Sequence, residues 1–353
     1  MAKKLYSTDK IAGMHEDLDK IFCADISIKH EQIDNMVESI ADINDPTERQ
    51  KMVAAILEHG KLRDSHILLA MGQLQDQVEL LDLFVEEVLL RNRFKLLIDA
   101  LCLSTVSQHS VKRLSIAVLE LNDLEKLILA IASVPKGLPE TEIIWSMKVI
   151  EIGTFEQILK VIGLIAASSP ATLILAKSLV THKKVKSNAL KRALSSCKGN
   201  EEASAIIVRA LSRLSDVKML LALLADQVAD NTQAGEILVS KLVQKSLLST
   251  EESRLIHTAC QYMQGDSMAG KILAMGVIDL GNPDQLERAY NRMSEHKIGN
   301  KMLACALKAK LNKLQALSLL GKKYFQLNAK SSDIVAATKE ARKRYLWITA
   351  NSL

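Results

Sequence analysis

The sequence predicts an all-α protein, and two observations support that fold class. Aromatic residues make up only 3% of the 353 residues, and the chain holds 14 Gly and 5 Pro. Sheet proteins of this size normally use more aromatic and β-branched residues and more Gly/Pro turns. Apolar residues also recur at intervals of three and four, as in AIIVRALSRL at 205–214, and this is the spacing of the buried stripe of a helix.

A recurring break predicts that the helices come in antiparallel pairs. LELNDLEKLILAI begins at residue 119, and IEIGTFEQILKVI begins 31 residues later with the same order of apolar, turn-forming and apolar residues. The breaks expected near 183 and 247 match this pattern weakly. The apolar residue before each break recurs at intervals of 31, 62 or 66 residues, at Leu90, Leu121, Ile152, Leu214, Leu280 and Leu311.

One helical hairpin cannot bury its own apolar face, so tandem hairpins of this length stack into an α-solenoid. We therefore expect an α-solenoid-like array of antiparallel helical hairpins with a repeat of about 31–33 residues, and an irregular helical bundle is the alternative. The hairpins resemble short HEAT-type units only in their pattern of helices. Pro inside a helix costs about 3 kcal/mol. All five prolines fall in the expected breaks, at Pro46, Pro135, Pro139, Pro170 and Pro283.

The two ends of the chain differ from the repeating middle. We expect an N-terminal helical cap at 1–50, the helical-repeat array at 51–330 and a basic amphipathic helix at 331–353. The face of this last helix that would be buried consists of Ile334, Ala337, Ala341, Tyr345 and Ile348. Lys339, Arg342 and Lys343 lie around the other face, where most such helices are solvated and some dock a partner.

Charge is distributed unevenly along the chain, although the net charge is only +5. Residues 1–100 hold 12 Lys/Arg against 19 Asp/Glu, whereas residues 297–353 hold 12 against 2. Opposite charge at the two ends favours partner docking, head-to-tail association or an anionic ligand.

Two basic segments are the candidate surfaces for a partner or an anion. The first is KSLVTHKKVKSNALKR at 177–192, which contains no acidic residue, and the second is the C-terminal part of the chain. Both are also compatible with a solvated helix face. The candidate residues are Lys183, Lys184, Lys186, Lys191, Arg192, Lys308, Lys322, Lys323, Arg342, Lys343 and Arg344.

No catalytic, cofactor or metal site is predicted, so we expect that the protein is not an enzyme. GDSMAG at 265–270 is similar to a nucleophile elbow around Ser267, but an elbow follows a strand and the residues before it predict a helix. The segments HEDLD, from His15, and HEQID, from His30, could place His and carboxylate ligands on one helix face, yet acidic first turns of helices produce the same letters.

The location is predicted from three weaker signals. Five scattered cysteines favour a reducing compartment, either the protein's own cytosol or a host cytosol if it is delivered as an effector. The N-terminus does not have the pattern of a secretory signal. The nearly uncharged run at 161–176 is too short and too broken for a bilayer span, so membrane insertion is not expected.

These patterns predict a non-enzymatic helical-repeat scaffold or adaptor that binds another protein or self-assembles through its charged ends. The alternative is a helical-repeat protein that binds the backbone of a nucleic acid through its basic segments, although aromatic residues for base stacking are missing there. A helical metalloenzyme built on the two His-Glu-x-x-Asp segments is the third hypothesis.

Overall fold

The computed structural model describes residues 30–59, 62–183, 185–226, 228–249, 253, 255–310 and 331–351. Within these ranges the chain forms 19 α-helices and no strand, apart from an isolated bridge between Gly265 and His296. The prediction of an all-α protein is confirmed.

The chain divides into two compact units, Met1–Ile152 and Gly153–Leu353. The described helices of the first unit are α1 (His30–Ser39), a short 3-10 helix (Ile40–Asp42), α2 (Pro46–Glu58), α3 (Asp64–Gln73), α4 (Val78–Arg91), α5 (Phe94–Leu103), α6 (Gln108–Glu120), α7 (Leu124–Ser133) and α8 (Pro139–Ile152).

The second unit begins with a short helix and ends with the longest one. Its described helices are α9 (Phe155–Leu164), α10 (Pro170–Thr181), α11 (Ser187–Ser196), α12 (Glu201–Leu214), α13 (Val217–Asp226), α14 (Gln233–Leu248), α15 (Ile256–Ala259), a 3-10 helix (Cys260–Tyr262), α16 (Met268–Leu280), α17 (Pro283–Arg292), α18 (Lys297–Lys310) and α19 (Ser331–Ala350). The predicted boundaries at 50/51 and 330/331 stay predictions.

Helices in each unit pack on the next helix and on the next but one. In the first unit α2, α4, α6 and α8 contact one another in succession, and so do α1, α3, α5 and α7. In the second unit the succession α10, α12, α14, α16 and α18 is continuous. Buried apolar side chains fill the space between these helices, and Trp145 and Phe84 are the largest of them.

Helix boundaries follow from the polar residues in the predicted breaks. Asp123 accepts a hydrogen bond from the backbone N–H of Lys126, and Thr154 forms a capping box with Gln157. The predicted position of the prolines is confirmed, because four of them are the first residue of a helix and Pro135 lies between α7 and α8.

A buried polar contact joins α6 to α8. The indole Nε1 of Trp145 donates to the carbonyl oxygen of Ser115 over 3.0 Å, and the hydroxyls of Ser115 and Thr141 lie 2.8 Å apart. Both hydroxyl groups and the indole are buried. Since a buried donor without an acceptor is costly, these bonds fix how α8 lies against α6.

Small residues allow the helices of the second unit to approach closely. A Cβ on Gly270 would lie 2.2 Å from Cδ2 of the buried His296, and a Cβ on Gly276 would lie 2.6 Å from the methyl groups of Val243. Any larger residue at these positions of α16 would therefore push apart α16 and its neighbours.

The final helix, α19, packs across α14, α16 and α18. It spans Ser331–Ala350, and the predicted domain at 331–353 stays a prediction. Ala337, Ala341 and Ile348 are buried, and Ile334 and Tyr345 are half-buried.

The glycines give a matched pair of stability tests. Gly270→Ala is expected to lower the free energy of unfolding by about 1–3 kcal/mol because the methyl group overpacks the interface. Gly72→Ala in α3, where nothing lies within 4 Å of the added Cβ, is expected to raise it by about 0.4–1 kcal/mol. Urea denaturation of both variants measures the difference, and equal effects would contradict the close approach at Gly270.

Candidate functional site

The structure places the predicted site residues in two regions of the second unit. Lys183 and Lys186 are exposed in the turn between α10 and α11, and Lys191 and Arg192 lie on α11. The others that the structure describes lie on α18 and α19. The predictions for Lys184, Lys322 and Lys323, and for the first His-Glu-x-x-Asp segment, fall outside the described residues.

The first basic segment is weakly compensated by acidic residues. Arg192 lies 3.9 Å from Glu156, and Lys177 lies 4.0 Å from Glu202, with all four side chains mostly exposed. Exposed ion pairs of this length contribute little because both groups remain hydrated. The segment therefore keeps most of its positive charge available, and its role in anion binding stays a prediction.

The cations of α19 are more tightly engaged within the second unit. Arg342 donates to both carboxylate oxygens of Asp279 over 2.9 and 3.1 Å. Arg344 donates to Glu236 over 2.6 Å and lies 4.6 Å from the centre of the Trp347 ring. These contacts fix α19 against α16 and α14. Lys308, Arg342 and Lys343 are exposed. A role of Arg342 and Arg344 in binding a partner stays a prediction.

The docking of α19 can be tested with one buried and one exposed alanine. Ala341→Asp places an unpaired carboxylate in an apolar interface at a cost of at least about 2 kcal/mol, so amide exchange across α19 should accelerate by about tenfold or more. Ala336→Asp, on the exposed side, is the control and should leave exchange nearly unchanged. Hydrogen-exchange mass spectrometry measures both, and unchanged exchange in the Ala341 variant would contradict the observed docking.

Ser267 is a helix cap, as the sequence predicted. Its hydroxyl donates to Asp230 over 2.7 Å and accepts from the backbone N–H of Gly270 over 3.2 Å. His296 lies nearby, but its Nε2 contacts the carbonyl oxygen of Ser267 and its Nδ1 accepts from the N–H of Gly299. Because both ring nitrogens bond to the backbone, the imidazole does not contact the hydroxyl that a nucleophilic mechanism would need to activate.

The second His-Glu-x-x-Asp segment is joined to a histidine of another helix. Asp34 lies 2.8 Å from Nε2 of the buried His66, and Nδ1 of that ring accepts from the N–H of Arg63 over 3.1 Å. Nε2 is therefore the N–H of this ring, and it donates a hydrogen bond to the carboxylate of Asp34. Within the described residues no group of three or more His, Cys, Asp or Glu is arranged to hold a metal ion.

The cysteines have the environment of structural thiols. Burial raises the pKa of Cys197 and of Cys260 to about 12, and it also raises the pKa of Cys102. Cys102, Cys197, Cys260 and Cys305 are all reduced. Thiols with raised pKa values hold almost no thiolate at neutral pH, so those at 102, 197 and 260 are poor nucleophiles.

A group of cations that the sequence analysis missed lies on α12 and α14. We call it the basic cluster, and it consists of Arg213, Lys241 and Lys245, since the charges of the first and the last act on Lys241. Burial lowers the pKa of Lys241, and the positive charges of Lys245 and Arg213 lower it further. A signal was present in the sequence, because the two lysines lie four residues apart and Lys245 follows Arg213 at a spacing of 32.

No protein-family model, curated protein or solved structure matches the chain. Among the described helices, none has the length and apolar content needed to cross a membrane.

Proposed function

We propose that this protein is a helical-repeat scaffold that holds an anionic partner, either another protein or the acidic unit of a second copy. The packing of each helix on the next but one supports this proposal most directly. Stacked helical repeats commonly present an extended surface that binds a partner.

The spacing of the helices supports an α-solenoid as the architecture of this scaffold. The even-numbered helices begin at residues 46, 78, 108, 139, 170, 201, 233, 268 and 297, so that successive starts lie 29 to 35 residues apart. Even-numbered helices contain 12 to 16 residues, whereas α3, α5, α7, α9, α11 and α13 contain 10 each. Alternating long and short helices at a fixed interval are typical of tandem hairpins.

The charge of the two units supports an anionic partner. Residues 1–152 hold 17 Lys/Arg against 25 Asp/Glu, a net charge of −8, and residues 153–353 hold 29 against 16, a net charge of +13. Like charges repel one another within the second unit, so an acidic surface that neutralises them is stabilising. Lys308, Arg342 and Lys343 are the exposed members of the C-terminal candidate set that the structure describes, and Arg342 is paired with Asp279.

Capture of a tagged copy co-expressed with an untagged copy tests the scaffold. We expect near-stoichiometric recovery of the untagged copy or of another protein, because complementary charges favour association. Recovery of the partner should fall several-fold for the double variant Lys308→Glu/Lys343→Glu. Charges at the edge of an interface govern the rate at which two proteins associate and how that rate depends on salt. Quantitative mass spectrometry of the eluate is the readout.

The matched control is Lys160→Glu/Lys218→Glu, which changes the net charge of the second unit equally at exposed positions of α9 and α13. It should recover as much partner as the wild type. Failure of the wild type to recover either protein would contradict the scaffold proposal. If the two double variants recover equal amounts of the partner, Lys308 and Lys343 do not belong to the contact surface.

A further inference from the structure

We propose that His257 on α15 and Arg288 and Arg292 on α17 together bind a phosphoryl group. The two helices pack against each other within the second unit. The sequence analysis singled out none of these residues for a ligand. This inference goes beyond the scaffold proposal, because it concerns a small anionic group and does not require a protein partner.

Two hydrogen bonds place one face of α17 along the chain segment that contains α15. Nε2 of Gln285 donates to the carbonyl oxygen of Ser253 over 3.2 Å. Seven residues further along α17, Nη1 of Arg292 donates to Oγ1 of Thr258 over 3.2 Å. The helix is therefore held against this segment at two points, about two turns apart.

Arg288 lies on the same face of α17, between these two points. Gln285, Arg288 and Arg292 follow one another at intervals of three and four residues, which is the spacing of neighbours on one helix face. On the facing segment His257 comes directly before Thr258. The hydrogen bonds thus bring the imidazole and the two guanidinium groups to one interface.

His257 is a buried group whose polar demand is unmet. Its residue is 8% exposed, and its Nδ1 has no hydrogen-bond partner in the described part of the protein. Burial lowers the pKa of His257, and the positive charges of Arg292 and Arg288 lower it further. Among the described residues of the helices packed on α15, these two arginines are the charged groups that act on the ring. An anion at this interface would offset both effects.

The two arginines have no acidic partner of their own. Both are exposed, and neither forms an ion pair with any residue that the structure describes, including Asp284, one turn before Arg288 on the same helix. Like charges one turn apart destabilise a helix, so an anion between Arg288 and Arg292 would remove a repulsion. The arginines of α19 differ, because they face carboxylates supplied by α14 and α16.

A phosphoryl group fits these three residues better than a carboxylate does. A guanidinium group donates two parallel hydrogen bonds to phosphate oxygens. A phosphate monoester carries a charge of about −2 at neutral pH and has three acceptor oxygens. It therefore balances two arginines and keeps an oxygen for the imidazole, whereas a carboxylate has one charge and two oxygens. Free inorganic phosphate and a phosphate ester of a larger molecule both present this chemistry.

Calorimetric titration of the full chain with phenyl phosphate at low salt tests the proposal. The wild type is expected to bind, and Arg288→Gln is expected to lose about tenfold or more in affinity, because charge-assisted bonds to phosphate are lost. The control Lys160→Gln removes the same charge from an exposed position of α9 in the same unit. It should bind as the wild type does, since general attraction to the basic unit is preserved.

Thermal unfolding without ligand separates binding from folding. Arg288 is exposed and repelled by Arg292, so the unfolding temperature of Arg288→Gln should equal or exceed that of the wild type. The stabilisation by phenyl phosphate should shrink in this variant. A lower unfolding temperature would show that Arg288 has a structural role and would overturn the proposal. No binding by the wild type, or equal affinities of Arg288→Gln and Lys160→Gln, would also overturn it.

Proton NMR of the imidazole tests whether His257 belongs to the site. His257→Asn identifies the resonance of this ring among those of the eight histidines. Saturating phenyl phosphate is expected to raise the pKa of His257, because a nearby negative charge favours the protonated ring. An unchanged titration of His257 in the phosphate-bound protein would exclude the ring from the site and contradict the proposal.

Competition distinguishes the two sources of phosphate. If inorganic phosphate displaces phenyl phosphate at a similar concentration, the site accepts free phosphate. If inorganic phosphate must be about tenfold more concentrated, the ligand is a phosphate ester. Either result supports a phosphoryl site, whereas displacement by sodium acetate as effective as that by phosphate would overturn it. The capture experiment with protein partners is independent of these titrations.

Discussion

A helix of ten residues cannot bury its apolar face against one neighbour, and the architecture of both units depends on this constraint. Most short helices follow one longer helix in the sequence and precede another. In the first unit each short helix also contacts the next short helix. α5, for example, packs on α3, α4, α6 and α7. Its buried residues Leu96, Leu97 and Leu101 therefore find partners that a single hairpin could not provide.

The same constraint explains which positions are small and which cations are paired. Where α16 approaches α14 and α18, Gly270, Gly276 and Gly299 leave room for Val243 and His296. α19 then covers the outer surface of these three helices, and its arginines meet acidic residues that α14 and α16 supply.

Local features were predictable from the sequence because they depend on neighbouring residues. The spacing of apolar residues predicted the helices, and the cap at Ser267, the prolines and the buried face of α19 followed from short-range chemistry. The pairing of Arg342 with Asp279 and of Arg344 with Glu236 joins residues 63 and 108 positions apart. Ion pairs between residues so far apart in the sequence form only if the right helices pack together. A single sequence with weak repeats does not specify which helices pack together.

The most direct test of this account is a cross-link between α6 and α8, the helix next but one. Ser115 and Thr141 are buried with their hydroxyl oxygens 2.8 Å apart, so the sulfur atoms of cysteines at the same positions would lie in contact. The Ser115→Cys/Thr141→Cys variant is expected to form this disulfide under mild oxidation, with helical circular dichroism unchanged, as shown by peptide mapping without reduction. If both thiols stay reduced in a protein of unchanged helicity, α6 and α8 do not pack as described and the account is wrong.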